Sequence, residues 1–180
     1  YFGNGVRPMF SDAHFVVPSD KYVNAQRGDF PFGKVNNATS TYSNGSKRGS
    51  NLNSGYSQGF SGTVFEPIDE FKGDVARFLL YFATRYEGSL RSFNYQLSTM
   101  PLDGSEEKGF ADWYITMLKD WAALDPVSQR EIDRNNAVFA IEKNRNPFID
   151  NPQWVNAIWS VTADAIAPQA PQNLASDGVG

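Results

Sequence analysis

Apolar residues recur at helical spacing over much of the second half of the chain, which predicts a mainly helical body. The clearest run lies between Phe65 and Gly88. Its apolar residues recur three or four positions apart: Ile68, Phe71, Val75, Phe78, Leu79, Phe82 and Tyr86. Pro67 suits the first helical position and Gly88 suits the C-terminal stop, so we predict a single helix across this region.

The face opposite this apolar stripe carries Lys72, Arg77 and Arg85. Basic residues on one side of a helix either contact the phosphate backbone of a nucleic acid or simply face solvent. For Lys72 the pattern favours the solvated face.

Three further helices follow from the same spacing. One is predicted over 106–123, with its aromatic and aliphatic residues on one side. Asp125, followed by proline, resembles an N-cap and predicts a helix that reaches about Lys143. Asn151, also followed by proline, opens a short helix that contains two tryptophans.

The first third of the chain is less regular. Residues 14–17 form an apolar run that predicts a short strand stopped by Pro18. Residues 20–27 predict one short helix. Residues 36–63 are rich in Ser, Asn, Gly and Thr, which indicates loops or weak edge strands; the composition favours a flexible insertion.

The amino-acid composition excludes several kinds of functional site. The chain has 180 residues and no cysteine, so disulfides, thiolate metal sites and a cysteine nucleophile are excluded. No apolar run is long enough to span a membrane. The net charge is −4, yet residues 1–60 hold six basic and three acidic residues, so a local basic surface remains for phosphate.

Two regions differ in composition at about residue 167. Residues 1–166 predict one domain. Residues 167–180 form a Pro-rich spacer, uncharged over residues 167–174, which resembles the linker to a fibronectin type III-like module of a secreted multidomain protein. The first residues read as the middle of a longer chain, so we expect parts on both sides of this sequence.

Three blocks of chemistry-bearing residues occur in order along residues 2–159. The first contains Asp12, His14, Pro18, Asn24, Arg27 and Gly33. The second contains Glu66, Pro67, Lys72, Gly73, Asp74, Arg77, Tyr81, Arg85 and Tyr86. The third contains Arg134, Asn135, Asn136, Asn144, Arg145, Asn146, Pro147, Phe148 and Trp154. Their ordered combination resembles the endonuclease I family of bacterial secreted and periplasmic nucleases.

This resemblance implies an α+β fold with a ββα-metal (His-Me finger) site, packed against a mostly helical body with a small sheet and long loops. It also implies a secreted, metal-dependent and sequence-nonspecific endonuclease that hydrolyses DNA, with RNA as a further substrate. The expected cofactor is a divalent cation, usually Mg²⁺. The family's Glu-His pair precedes a Phe-Gly that Phe2 and Gly3 match, so the general base is expected just upstream of Tyr1, and these 180 residues alone are expected to be inactive.

Residue by residue, the resemblance makes Asn24 a metal ligand; taken alone, such an asparagine is more typical of a helix cap. His14 matches the family's second histidine. It is expected to orient the metal site or to be a buried structural histidine, and its use as the base is the alternative. Asp12 is either a ligand or the cap of a local turn.

Arg27, Arg145 and Arg77 are the candidate phosphate-binding residues, since a guanidinium forms forked hydrogen bonds with phosphate. A salt bridge to a nearby acid is the alternative for Arg27 and Arg145. The expected location is extracellular or at the cell surface, without membrane insertion and with secretion machinery engaged through C-terminal modules. A noncatalytic nuclease-fold binding or cargo domain is the alternative function.

Overall fold

The computed structural model describes residues 7–52, 60–90, 101–103 and 109–159. These ranges contain the helices α1 (Lys21–Arg27), α2 (Lys72–Arg85), α3 (Glu87–Leu90), α4 (Asp112–Leu124), α5 (Gln129–Glu142), α6 (Pro147–Asp150) and α7 (Trp154–Ile158). They also contain the strands β1 (Val35–Thr41), β2 (Lys47–Asn51) and β3 (Thr63–Glu66). The mixture of helices and one small antiparallel sheet confirms the α+β class; the ββα-metal arrangement stays a prediction.

The sheet has the order β1-β2-β3 with antiparallel neighbours. The β1–β2 hairpin closes where the N–H of Tyr42 donates to the carbonyl of Ser46 at 2.8 Å. Irregular register between these strands brings the carbonyl oxygen of Asn37 against Gly49, where a Cβ would lie 2.0 Å from that oxygen. A side chain cannot occupy that space, so glycine is required at this position.

The sheet corrects the expectation of a flexible insertion over residues 36–63, for the part of this region that the structure describes. The strands are polar, but β3 supplies the buried side chains of Val64 and Phe65. Pairing with β3 fixes β2, and β2 in turn fixes β1. The hydrophobic anchor therefore lies outside the polar stretch that it orders.

The helix predicted from Pro67 begins five residues later, at Lys72. Glu66 is the last residue of β3, and its carboxylate accepts from the N–H of Val35 at 2.8 Å. Lys72 is buried and its Nζ lies 2.7 Å from Glu66, which corrects its predicted solvent exposure. Gly88 lies inside α3, so it does not stop α2.

The start of α5 differs from the prediction for a local reason. Ser128 is the N-cap, and it forms a capping box with Glu131. Asp125, the predicted N-cap, instead ends α4. The helix ends as predicted, with Lys143 in the left-handed region at φ 60°.

α4 starts at Asp112, later than the predicted 106, and residues 104–108 lie outside the described ranges. α7 starts at Trp154, shortly after the predicted opening at Asn151. α6 is an additional short helix, capped by the side chain of Asn146.

The core lies between α2 and α4, with α6 and α7 covering one end. Its fully buried members include Leu80, Phe82, Phe110, Met117, Leu118 and Phe148. Gly73 permits the close approach of the two helices, because a Cβ there would lie 1.9 Å from the carbonyl oxygen of Asp125. The N–H of Gly73 also donates to the Asp125 carboxylate at 2.9 Å.

In the part of the chain that the structure describes, no helix is long and apolar enough to cross a membrane. The predicted spacer at 167–180 lies outside the described residues, and so does the Phe-Gly at positions 2 and 3.

Candidate functional site

A tight turn after Asp12 places His14 below the surface, so the strand predicted over 14–17 is wrong. The turn is fixed because the backbone N–H of His14 donates to Asp12 Oδ1 at 2.9 Å. His14 is 3% exposed, and its ring centroid lies 5.1 Å from that of Tyr81. Its Nε2 lies 3.1 Å from the backbone oxygen of Asn144. A carbonyl can only accept, so Nε2 carries the proton.

Asp12 is buried, and its second oxygen accepts two tyrosine hydroxyls. Tyr81 donates at 2.7 Å and Tyr86 at 2.6 Å, both to Oδ2. Burial, together with the hydrogen bond to Asp12, raises the pKa of both hydroxyls, so they remain protonated donors. Of the two expected roles, the structure therefore supports the turn cap for Asp12 and leaves neither oxygen free for a metal.

The asparagine-rich third block holds the backbone behind His14. Asn144 Nδ2 donates to the hydroxyl of Tyr81 at 3.0 Å. Asn146 Nδ2 donates to the carbonyl of Arg77 at 3.2 Å, and the N–H of Asn146 donates to Asn135 Oδ1 at 2.9 Å. These amides replace regular secondary structure where α5 passes into α6. Their spacing is visible in the sequence, but this role is not.

Helix α5 also holds the turn from its other side. Arg134 Nη2 donates to the carbonyls of Ala13 and Val16, the second at 3.1 Å. Glu142 accepts from the N–H of Ala13 at 3.1 Å. The turn that carries His14 is therefore fixed to α5. Sequence reasoning missed this link, although Arg134 interrupts the apolar pattern of α5.

Helix α1 confirms the short helix predicted over 20–27. Asp20 is its N-cap and accepts from the N–H of Val23 at 2.8 Å. Gly28 ends it with φ 54°. Asn24 is therefore not the cap: it lies within the helix, is exposed, and makes no side-chain hydrogen bond to the described residues.

A cavity of about 840 Å³ lies beside α1 and the turn, and it extends to α2 and α5. It brings together most of the sequence-predicted site residues: His14, Asn24, Arg27 and Arg77. Arg145 is not part of its lining. Two further basic residues of α5, Arg130 and Arg134, also line it. The sequence placed Arg134 in the third block without giving it a role, and it did not single out Arg130.

Arg27 retains capacity for an anion. Its guanidinium lies 5.1 Å from the ring centroid of Phe32 and donates to the carbonyl of Phe30 at 3.2 Å. No carboxylate among the described residues pairs with it. A positive charge on the cavity wall without an acidic partner is suited to phosphate.

Arg77 lies elsewhere than predicted. Its side chain is 1% exposed, and its Nε and Nη2 donate to the Glu131 carboxylate at 2.6 and 2.8 Å. Its Nη1 donates to the carbonyl of Asp125 at 2.9 Å. The expected solvent-facing guanidinium on α2 is wrong: Arg77 joins α2 to α5 and offers a phosphate almost no surface.

Arg145 forms the salt bridge that was its alternative role. Its Nε and Nη2 each lie 2.7 Å from an oxygen of Asp150, and Nη2 also donates to Asn136 at 3.0 Å. The pair is partly exposed and keeps the pKa of Asp150 below its usual range. The guanidinium donors of Arg145 are therefore already bound to Asp150 and Asn136.

Two interacting carboxylates, those of Asp74 and Glu131, line the cavity. Burial and the neighbouring Glu131 raise the pKa of Asp74 to about 7, against the opposing effect of Arg130 and Arg77. Burial acts to raise the pKa of Glu131, but its hydrogen bonds with Arg77, Ser128 and Asp74 and the charge of Arg77 together lower it. Near neutral pH, Asp74 is therefore the member of the pair that retains a proton.

Of the metal ligands that the resemblance implies, the described residues contain one, Asn24. The amide oxygen of Asn24 is exposed on the cavity wall and suits a hard cation that keeps several waters. No group of three His, Cys, Asp or Glu side chains among the described residues could hold a metal. The described residues therefore fit part of a metal site but do not form a complete one.

Comparison with known proteins identifies the family of the chain. The pattern of the Endonuclease I family matches residues 1–153. The "Extracellular ribonuclease" of Bacillus subtilis is 35% identical and that of Bacillus amyloliquefaciens 36% identical, each over 159 residues. "Endonuclease-1" of Buchnera aphidicola is 23% identical over 139 residues, which is 77% of this chain and 44% of that protein.

All three of these relatives are bacterial nucleases by name. The chain belongs to the endonuclease I family. The matches to the two ribonucleases cover 88% of this chain but 49% of each relative, so the chain spans about half the length of those proteins.

Proposed function

We propose that the chain forms the larger part of a secreted nuclease that hydrolyses phosphodiester bonds of RNA and DNA without sequence specificity, with a divalent cation such as Mg²⁺. One observation carries the proposal: Asn24, Arg27 and His14 line the same cavity. The names of the ribonuclease relatives support RNA as a substrate, and "Endonuclease-1" is consistent with internal cleavage.

The proposed roles follow from the geometry of each side chain. Arg27, without a carboxylate partner in the described residues, binds a phosphate next to the scissile bond. Asn24 offers its amide oxygen to the cation. When bound, that cation would neutralise charge on the phosphate and favour attack by water.

His14 acts by holding the site in place. Its Nε2 proton is donated to the carbonyl of Asn144, so this nitrogen cannot accept a proton from water. The other ring nitrogen, Nδ1, has little access to water because His14 is 3% exposed. His14 is the only histidine of the chain. We therefore propose that the general base is supplied by residues outside these 180, upstream of Tyr1.

The test is cleavage by the full-length protein. Plasmid DNA and a structured RNA are incubated with Mg²⁺, and again with a chelator. Asn24→Ala should reduce cleavage by about 100-fold or more, because loss of an outer partner of a ligand already costs about 10–100-fold. Asn156→Ala is the matched control: Asn156 is exposed on α7 and does not line the cavity.

Cleavage that continues in chelator would contradict the metal part of the proposal, as would equal activity of the Asn24 and Asn156 variants. If the full-length protein binds nucleic acid but never cleaves it, the noncatalytic binding domain becomes the better description.

A further inference from the structure

Two aromatic side chains are exposed in the lining of the same cavity. Phe30 and Phe71 are each 37% exposed, although both are large and apolar. Each carries a guanidinium near its ring: Arg130 lies 4.6 Å from the centroid of Phe71, and Arg48 lies 5.5 Å from that of Phe30. The nuclease chemistry proposed above uses neither ring.

Cations without acidic partners lie in the same lining. Arg27 pairs with no carboxylate among the described residues, and Arg134 bonds to the carbonyls of Ala13 and Val16. The acids of the lining are mostly engaged within the chain. Asp20 caps α1, Asp74 contacts Arg130, and Glu131 binds Arg77.

Aromatic surface and unpaired cations together match one ligand chemistry, that of a polynucleotide with unpaired bases. In a duplex the base faces are stacked on one another, and a protein reaches mainly phosphates and groove edges. In a single strand the faces are free to stack on aromatic side chains, while the backbone follows basic residues.

We infer that the cavity binds single-stranded nucleic acid, with unpaired bases stacked on Phe71 and Phe30 and phosphates bound by Arg27 and Arg134. This inference rests on the proposed function, since it assigns the strand preference of the same site. Stacking is tolerant of sequence, so it fits a nonspecific nuclease. It brings an unpaired segment next to Asn24.

The experiment measures binding without cleavage. The full chain is titrated, in chelator, into fluorescent oligonucleotides of about 12 nucleotides: single-stranded RNA, single-stranded DNA and the matching duplex. Phe71→Ala and Phe30→Ala should each weaken single-strand binding by about 5- to 150-fold and change duplex binding less than about twofold. A 2-aminopurine base in the strand should be quenched by the unsubstituted protein and less by the variants.

The matched control is Phe139→Ala. Phe139 is 44% exposed and lies under Arg145 at 5.5 Å, but it does not line the cavity. Single-strand binding should be unchanged in this variant. Phe71→Leu keeps apolar volume without a ring face, so it should show the same defect as Phe71→Ala even if the alanine variant folds poorly.

Equal loss of single-strand and duplex binding, or no loss in the Phe71 and Phe30 variants, overturns the inference. Comparison of the two single strands tells whether the sugar contributes, and either result leaves the stacking intact. Failure of the inference is separable from failure of the function. If the protein cleaves with Mg²⁺ and substitution of Phe71 has no effect on binding, the proposed function stands and the inference fails. If bases stack on Phe71 but no cleavage occurs, the inference stands and the proposed function fails.

Discussion

The Nε2 atom of His14 lies 3.1 Å from the backbone oxygen of Asn144, a residue 130 positions further along the chain. The side chain of Asn144 in turn donates to Tyr81, whose hydroxyl donates to Asp12 in the turn before His14. The first and third sequence blocks are thus joined into one hydrogen-bonded unit. The residues of these blocks hold the turn in position as well as supplying chemical groups to the site.

Substitution of His14 should therefore affect structure more than proton transfer. His14→Ala leaves the Asn144 carbonyl without its donor and should lower the free energy of unfolding by about 1–3 kcal/mol. His14→Gln keeps an N–H donor and should lose less. In the full-length protein, His14→Gln should retain cleavage within about 10- to 100-fold, with an unchanged shape of the pH–rate profile. Loss of the neutral inflection from that profile would instead make His14 the base.

The sequence could predict those parts of the fold that depend on residues close together in the chain. α1 and the C-terminal end of α5 lie where the sequence predicts them, because Asp20, Gly28 and the left-handed Lys143 act on neighbouring residues. The start of α2 could not be found this way, because Ile68 and Phe71 already recur at helical spacing although α2 begins at Lys72, and because Phe65 lies in β3. One apolar residue at helical spacing does not tell whether its segment pairs with a strand. Residues 63–66 form β3 because they pair with β2.

The candidate site likewise has residues that the sequence could bring together and residues that it could not. Asn24 and Arg27 are brought to one cavity by a single short helix, so sequence neighbours remain neighbours in space. The burial of Arg77 could not be predicted, since its partner Glu131 lies 54 residues away. A basic residue on a helix face looks the same in sequence whether its partner is water, phosphate or a distant carboxylate.

Asp12 offers a test of the turn. Asp12→Asn removes the charge that accepts two tyrosine hydroxyls and should lower the free energy of unfolding by about 1–3 kcal/mol in urea denaturation. Tyr86→Phe removes one of the two bonds. Because both changes act on the same oxygen, the double variant should lose less than the sum of the single losses. Tyr22→Phe, at an exposed position, should stay within about 0.5 kcal/mol; strict additivity of the first pair would contradict the shared network.

The Arg77–Glu131 pair should behave as a buried ion pair. Arg77→Met or Glu131→Gln alone leaves one charged or polar partner buried and should lower the free energy of unfolding by about 3–5 kcal/mol. The double variant Arg77→Met with Glu131→Leu should recover part of the loss. The partly exposed pair of Arg145 and Asp150 is the control, and its double removal should shift the urea midpoint less than either single change at Arg77 or Glu131. Single losses at Arg77 no larger than in this control would mean that the buried pair does not hold α2 to α5.

Asp74 predicts how stability depends on pH. Its pKa is raised from 3.8 to about 7, first by burial and then by Glu131, so between these values the folded state binds a proton that the unfolded state has lost. Stability from this group therefore falls as pH rises from about 4 to 7. Asp74→Asn keeps the shape and a hydrogen-bonding side chain but cannot ionise. Relative to the unsubstituted protein, its melting temperature should rise by about 2–6 °C between pH 5 and pH 8.

Asp69 supplies the control for this pH dependence. The side-chain hydrogen bond and charge of Lys72 lower the pKa of Asp69, so Asp69 is ionised in both the folded and the unfolded state from pH 5 to pH 8. Asp69→Asn should therefore shift the melting temperature equally at both pH values. If Asp74→Asn also shifts it equally, Asp74 is ionised throughout this range, and the two guanidinium groups beside it outweigh its burial.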